Sequence, residues 1–343
     1  MNAERSATQN RIISALRDQN RNIAVPKADG TTMKWKKRGV IFKPDGNHEW
    51  MATHACLPLP GRICDNVLRI YFATRSRENK SVTTFIEVEA DNPSHVLYVH
   101  DRPVLSAGKL GTFDDDGVGP YCLVEHDNKT YLYYGGCNAS VTVSYRNAIG
   151  LAVSEDNGLT FRRVCEGPVV DRNQREPYFT AAADVMLRDQ RWKMWYGSAT
   201  GWVVVDGQTE PRYQIKYGES TDGINWIRNN VTCIEYKGSD EANVRPCVIK
   251  EDDLYKMWYC YRGSVNYRTD KRHSYRLGYA ESVDGIAWTR NDENVGIDRS
   301  PDGWDSEMMC YPYVYEHKGR KYLLYNGNGF GESGFGYAVL DEQ

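Results

Sequence analysis

The sequence predicts an all-β protein, a five-bladed β-propeller of four-stranded blades, and three observations carry that expectation. The first is a repeat. KMWY at 193–196 returns at 256–259, and looser copies end at Phe72 (RIYF), Tyr134 (YLYY) and Tyr325 (YLLY). Taken as equivalent, these five anchors are spaced by 62, 62, 63 and 66 residues, a period that must be recognised before domains are counted. The second is a recurring Ser-x-Asp-Gly turn followed by an aromatic residue, as in STDGINW (220–226) and SVDGIAW (282–288). The third concerns the ends of the repeat. The last copy stops after its third strand, Phe335 to Leu340, while a Trp-containing strand of the missing type, MKWKKRGVIF (33–42), opens the repeat region. That strand is expected to complete blade five, closing the ring and removing an open sheet edge.

Each element has its own reason. Residues 1–32 are polar and stand outside the repeat; Ile12, Ile13 and Leu16 could share one face of a short helix ended by Pro26 and Gly30. Residues 33–343 form the propeller. Its blades cover about 48–106, 112–170, 175–236, 239–297 and 303–340. In the turns at 154–161, 220–226 and 282–288, Ser and Asp cap the backbone, Gly supplies a positive φ, and the aromatic plugs between blades. Asp156, Asp222 and Asp284 are therefore expected to do turn chemistry only.

Composition narrows the function. The net charge is −3 with 26% charged residues, which gives no basic footprint for nucleic acid. The 24 Tyr and 9 Trp suit strands and also suit surfaces that stack on sugars. Nine cysteines, an odd number without a CxxC, and an N-terminus lacking the apolar core of a leader point to reduced thiols in the cytoplasm. No apolar run approaches the length of a membrane span. There is no HExxH, no zinc-spaced Cys/His cluster and no GxSxG elbow, so neither a metal nor another cofactor is expected. The GxGxxG spacing at Gly329, Gly331 and Gly334 falls between strands, not before a helix.

Strand order places residues on faces. Segments before each first strand and just after each second strand share one rim, around the central pocket where propellers bind ligands. The first group supplies Glu49, Trp50 and His54; Asp115; Glu176; Glu241 and Arg245; and Glu307. Asp115, Glu241 and Glu307 each fall five residues ahead of an equivalent proline (Pro120, Pro246, Pro312), and Asp184 follows Ala183 inside an apolar strand. The second group supplies Arg75, Tyr261, Arg262, Asn326 and Asn328. Glycosidic cleavage needs one carboxyl to protonate the leaving oxygen and one carboxylate to activate water or attack the sugar. The expected catalytic set is Glu176, Glu241 and Asp184, supported by Asp115, Glu49 and Glu307. Arg75, Arg245 and Arg262 would bind a carboxylate or phosphate, or else pair with the rim acids. Tyr261, Trp50, His54, Asn326 and Asn328 complete the expected substrate site.

GTFDDDGVGP (111–120), IGLAVSEDNGLTF (149–161), KMWYG, IKYGESTDGINW, WDSEMMCYPYVYEHKGRKYLLYNGNG (304–329) and FGYAVL resemble the blades of five-bladed propeller carbohydrate enzymes. That group includes arabinanases and xylosidases, fructosidases and mannoside phosphorylases, and the last two segments resemble glycosidase-like proteins of bacterial surface-polysaccharide loci. The resemblance covers residues 33–340 and implies a glycoside hydrolase acting on an acidic or surface-polysaccharide sugar. It also implies that Asp184 matches the Asp of an Ala-Pro-Asp-Val strand. The Asp-Pro base of the preceding blade is Gly119-Pro120 here. A transferase or phosphorylase acting on an activated sugar is one alternative, and a glycan-binding propeller without catalysis is another.

Overall fold

A computed structural model describes residues 33–341. The short helix expected within 1–32 lies outside the described residues. The described chain is nearly all strand, arranged as four-stranded antiparallel units. Unit one holds β2 (Thr53–Cys64), β3 (Val67–Arg75), β4 (Ser81–Glu89) and β5 (Val96–Val99). Unit two holds β6 (Gly117–His126), β7 (Lys129–Ala139), β8 (Tyr145–Ser154) and β9 (Arg162–Arg163). Unit three holds β10 (Thr180–Arg188), β11 (Arg191–Val205), β12 (Gln208–Ser220) and β13 (Ile227–Thr232); unit four holds β14 (Ala242–Glu251), β15 (Leu254–Arg262), β16 (Arg276–Ser282) and β17 (Thr289–Arg290). The last sheet runs β1 (Trp35–Phe42), β20 (Phe335–Leu340), β19 (Arg320–Asn326), β18 (Cys310–His317), so among the described residues the first strand pairs antiparallel with the last.

Neighbouring units meet through four kinds of contact. The first strands touch in the order β2, β6, β10, β14, β18, and β18 touches β2 again. At three of these seams a side chain caps a backbone N–H across the gap. The amides of Val185 and Val314 donate to the sulfurs of Cys122 and Cys247, at 3.3 and 3.1 Å, and that of Val248 donates to the Asp184 carboxylate at 2.6 Å. Farther out, the residue before an anchor reaches the turn of the next unit. Tyr71, Tyr133 and the Trp195 indole donate to the carbonyls of Gly158, Gly223 and Gly285 at 2.7–2.8 Å. Those turns are built by Ser154/Asp156, Ser220/Asp222 and Ser282/Asp284 through hydrogen bonds to the local backbone. Units one and two also share a bridge between Ser81 and Gly117. A Cβ at Gly117 would sit 2.2 Å from the Ser81 hydroxyl oxygen, so this seam requires glycine.

Within four units the anchor tyrosine closes a buried polar latch. Tyr134, Tyr196 and Tyr325 donate to Asp114, Glu176 and Asp305, each exactly one repeat-internal step of 20 residues upstream, at 2.9–3.0 Å. A cation from the outermost strand then meets the same acid. Arg163 reaches Asp114 at 2.6 Å, Arg228 reaches Glu176 at 3.6 Å and Lys37 reaches Asp305 at 2.6 Å. In unit four Tyr259 donates to Asp292, and Arg290 bridges Asp292 and Glu241 with bonds of 2.7–2.8 Å. Unit one has Phe72 at its anchor and no hydroxyl; the ring packs on Phe42 and Phe335 instead. A buried charge is tolerated only when paired and hydrogen-bonded, and the acid of each latch meets both conditions through its cation and its tyrosine.

Candidate active site

A cavity of about 570 Å³ opens between the units. Its floor comes from the first strands, each of which loses register near its midpoint. Leu57, Ala182, Arg245 and Tyr311 stand at such breaks with φ of 58°, 52°, 60° and 56°. These left-handed residues re-aim side chains as bulges do. Leu57, Ala182 and Tyr311 line the cavity together with Tyr121.

The two sides of the cavity differ. One side is aromatic: Phe179, Tyr213, Tyr267, Tyr275 and Phe330. Arg262 stands behind it and is 2% exposed. Its Nε donates to the hydroxyls of Tyr213 and Tyr275 at 3.2 and 3.1 Å, and its remaining nitrogens donate to the carbonyls of Gly263 and Pro211. The Tyr213 and Tyr275 hydroxyls also bond to each other. Arg262 therefore fixes the rings from a buried position behind them. Arg268 lies 4.8 Å over Tyr267 and 4.9 Å over Phe330, and its Nε donates to Glu210 at 2.9 Å. Phe330 holds φ of 59° in the turn 328–331, with its N–H on the Met308 sulfur.

The other side is polar, built by Arg75, Glu78, Asn79, Lys80 and Ser81 from the β3–β4 hairpin and by Asp116 before β6. Glu78 and Asp116 are the carboxylates on the cavity wall. Asp116 accepts the Ala139 N–H at 2.7 Å and lies 3.8 Å from the Lys80 ammonium.

Of the residues expected at the site, Arg75 lines this cavity and the others lie elsewhere. Glu176 and Glu241 are drawn into latches, because an arginine from the outermost strand lies within reach of each. Asp184 is buried on the seam to β14. Asp115 caps the Gly111 N–H at 2.8 Å, and Glu49 and Glu307 are exposed. Arg245 is fully buried, donating to the Tyr121 carbonyl at 2.8 Å between the rings of Tyr121 and Tyr313. Tyr261 packs under Arg290 and Trp50 against the core of unit one. Asn326 is buried and ties together Ala55, Leu57 and Gly334, while Asn328 organises the backbone around Glu307 and Gly303. His54 is half-buried, and burial, then the Arg75 charge, push its pKa down to about 4. Among the described residues no group of three or more His, Cys, Asp or Glu gathers to hold a metal ion, and no helix is long and apolar enough to cross a membrane.

Asp184 carries a pH signature. Burial raises its pKa to about 6, against the lowering effects of the Val248 N–H and Arg245. The folded state therefore holds the proton more tightly than the unfolded chain. The stability this confers is complete below about pH 4 and is lost as pH rises through about 6, on the order of 3 kcal/mol for the whole shift. Asp184→Asn keeps an oxygen for Val248 and has no proton to lose. Its stability relative to wild type should rise between pH 4 and pH 7 in urea melts; a constant difference would refute the assignment.

No family model matches the chain. A solved structure described as a glycoside hydrolase aligns with a TM-score of 0.68 at 17% identity, over 90% of this chain and 92% of that one. A thermostable family-43 glycoside hydrolase aligns at 0.58 and 17% identity, over 86% and 90%. The fold is thus that of glycoside hydrolases. The uncharacterized protein MT1551 of Mycobacterium tuberculosis (strain CDC 1551 / Oshkosh) is 39% identical over 310 residues, covering 90% of this chain and 100% of the relative. Protein Rv1502 of strain ATCC 25618 / H37Rv, also uncharacterized, is 38% identical over the same length. The chain belongs to the family of these mycobacterial proteins.

Proposed function

We propose that the chain is a carbohydrate-active enzyme that works on a glycosidic bond in this cavity, on a single five-bladed propeller spanning 33–343 with residues 1–32 as an arm outside it. The ring reading is supported by the cyclic contacts of the first strands and by Lys37 of β1, which meets Asp305 as the outermost arginines of units two and three meet their acids. The observation that carries the functional reading is a cavity in a glycoside-hydrolase fold with an aromatic side for sugar rings and two carboxylates facing it. Acid–base work then falls to Asp116 and Glu78. The substrate is an acidic or surface-polysaccharide sugar, and the nine free thiols suit a cytoplasmic place in polysaccharide biosynthesis.

A second reading, glycosyl transfer or phosphorolysis, is favoured by one feature. Arg75, Lys80 and Arg268 outnumber the two wall carboxylates, which suits an anionic co-substrate. Turnover of nitrophenyl glycosides and oligosaccharides, with and without inorganic phosphate, separates the readings. Asp116→Asn still accepts the Ala139 N–H, so it should melt like wild type yet lose about 10²–10⁴-fold in kcat. An unchanged rate would remove Asp116 from the mechanism. Binding of glycans without turnover under any condition would leave a glycan-binding propeller.

A further inference from the structure

We propose that the polar side of the cavity is an anion subsite, in which the Arg75 guanidinium and the Lys80 ammonium clamp the phosphate of a sugar phosphate whose ring lies on the tyrosines opposite. The inference rests on the carbohydrate reading above and names the class of substrate.

Arg75 differs from the other arginines near the cavity. Arg262 is buried and hydrogen-bonded to carbonyls and hydroxyls, and Arg268 is paired with Glu210. Arg75 ends β3, lines the cavity half-buried, and hydrogen-bonds to a neutral group, Asn79 Oδ1, at 3.2 Å. Among the described residues no carboxylate oxygen pairs with it within 4.0 Å. A partly desolvated guanidinium with a neutral partner is suited to an incoming oxyanion.

Lys80 stands at the other end of the same turn, five residues on, and lines the same side. Its distance of 3.8 Å to Asp116 is longer than a hydrogen bond, so its ammonium keeps donors for a ligand. Asn79 and Ser81 add neutral donors beside the two cations. Glu78 and Asp116 face the same space, and two separate cations match an anion that spreads two charges over three oxygens, as a phosphate monoester does. The positive field of Arg75 is felt nearby. After burial, it is the second cause that lowers the pKa of His54, against the opposing charge of Glu332. Phosphate chemistry matches this arrangement better than the single carboxylate of a uronic acid.

Calorimetric titration of the full chain tests it, using inorganic phosphate, glucose 1-phosphate and mannose 1-phosphate, with glucose, mannose and glucuronate as controls. In wild type the phosphates should bind at least tenfold more tightly than the neutral sugars and glucuronate, with an affinity that falls as salt rises. In Arg75→Gln that advantage should disappear. Lys80→Gln, at an exposed position, should reduce it several-fold and serves as the second variant should the first fail to fold. Equal affinity for glucose and its 1-phosphate, glucuronate binding as tightly as phosphate, or unchanged phosphate binding in both folded variants would overturn the subsite. Phosphate binding that depends on Arg75 without binding or turnover of any glycan would instead sink the carbohydrate reading. Glycan turnover with no phosphate preference would leave that reading standing and sink only the subsite.

Discussion

A chain starting at Lys43 should lose the cooperative folding of the full chain and aggregate. Residues 35–42 supply the outer strand of the last sheet, pairing with β20 from Trp35–Leu340 to Phe42–Phe335. Without them β20 becomes an open edge of aromatic and aliphatic residues, an aggregation template. Three further losses follow. Trp35, 7% exposed, leaves the edge of Trp258, whose ring centroid lies 6.2 Å away. Phe42 leaves the pair Phe72 and Phe335, both fully buried. Lys37 leaves Asp305, which is 1% exposed, and an uncompensated buried carboxylate alone costs about 3–5 kcal/mol. Such a sum exceeds a sizeable fraction of the about 5–15 kcal/mol by which domains are stable. Lys37→Met isolates the electrostatic part and should lower stability by the single-charge amount. A chain from Lys43 that remained a soluble monomer with one sharp transition would refute the closing role of β1.

The repeat made the strands, the turns and the partner of β1 legible, because all of them follow from periodic positions. The acids were harder, because the period copies a structural carboxylate as readily as a working one. Asp114-Asp115-Asp116 shows the difficulty in three adjacent residues. Asp114 is buried under Tyr134 and Arg163, Asp115 caps Gly111, and Asp116 faces the cavity. Which carboxylate does which depends on the turn's path, not on residue type. The latch left a signal that could have been read. The separation of 20 residues between acid and anchor tyrosine recurs at 114/134, 176/196 and 305/325, and the outermost strands supply the cations Arg163, Arg228 and Lys37. The aromatic side of the cavity had a weaker signal, since Tyr213, Tyr267 and Tyr275 come from the long β11–β12 hairpin and the β15–β16 loop, which depart from the repeat. Lys80 was missed, although strand order places it in the same turn as Arg75.

Glu176→Gln should cost stability and not chemistry. Glu176 is 1% exposed and receives the Tyr196 hydroxyl on both oxygens, at 2.9 and 3.0 Å. Arg228 faces it at 3.6 Å and lies 5.8 Å over the Tyr196 ring, with little exposure of its own. Glutamine keeps the shape but removes the charge, leaving a buried guanidinium without its counter-ion and turning one acceptor into a donor opposite Arg228. Breaking one side of a buried pair costs about 3–5 kcal/mol, and the anchor tyrosine loses its charged acceptor as well, worth about 1.5–3 kcal/mol for such bonds. The two losses overlap, so the upper part of the first range is the expected fall in urea-melt stability. Arg228→Met should fall similarly. The double variant, Glu176→Gln with Arg228→Met, should recover part of the loss because the guanidinium left without its counter-ion is gone, while buried Lys216 still loses the nearby charge of Glu176. Turnover per folded molecule should be unchanged in all three, since neither side chain lines the cavity. A Glu176→Gln protein that melts like wild type while losing turnover a hundredfold would reverse the assignment and return Glu176 to the catalytic centre.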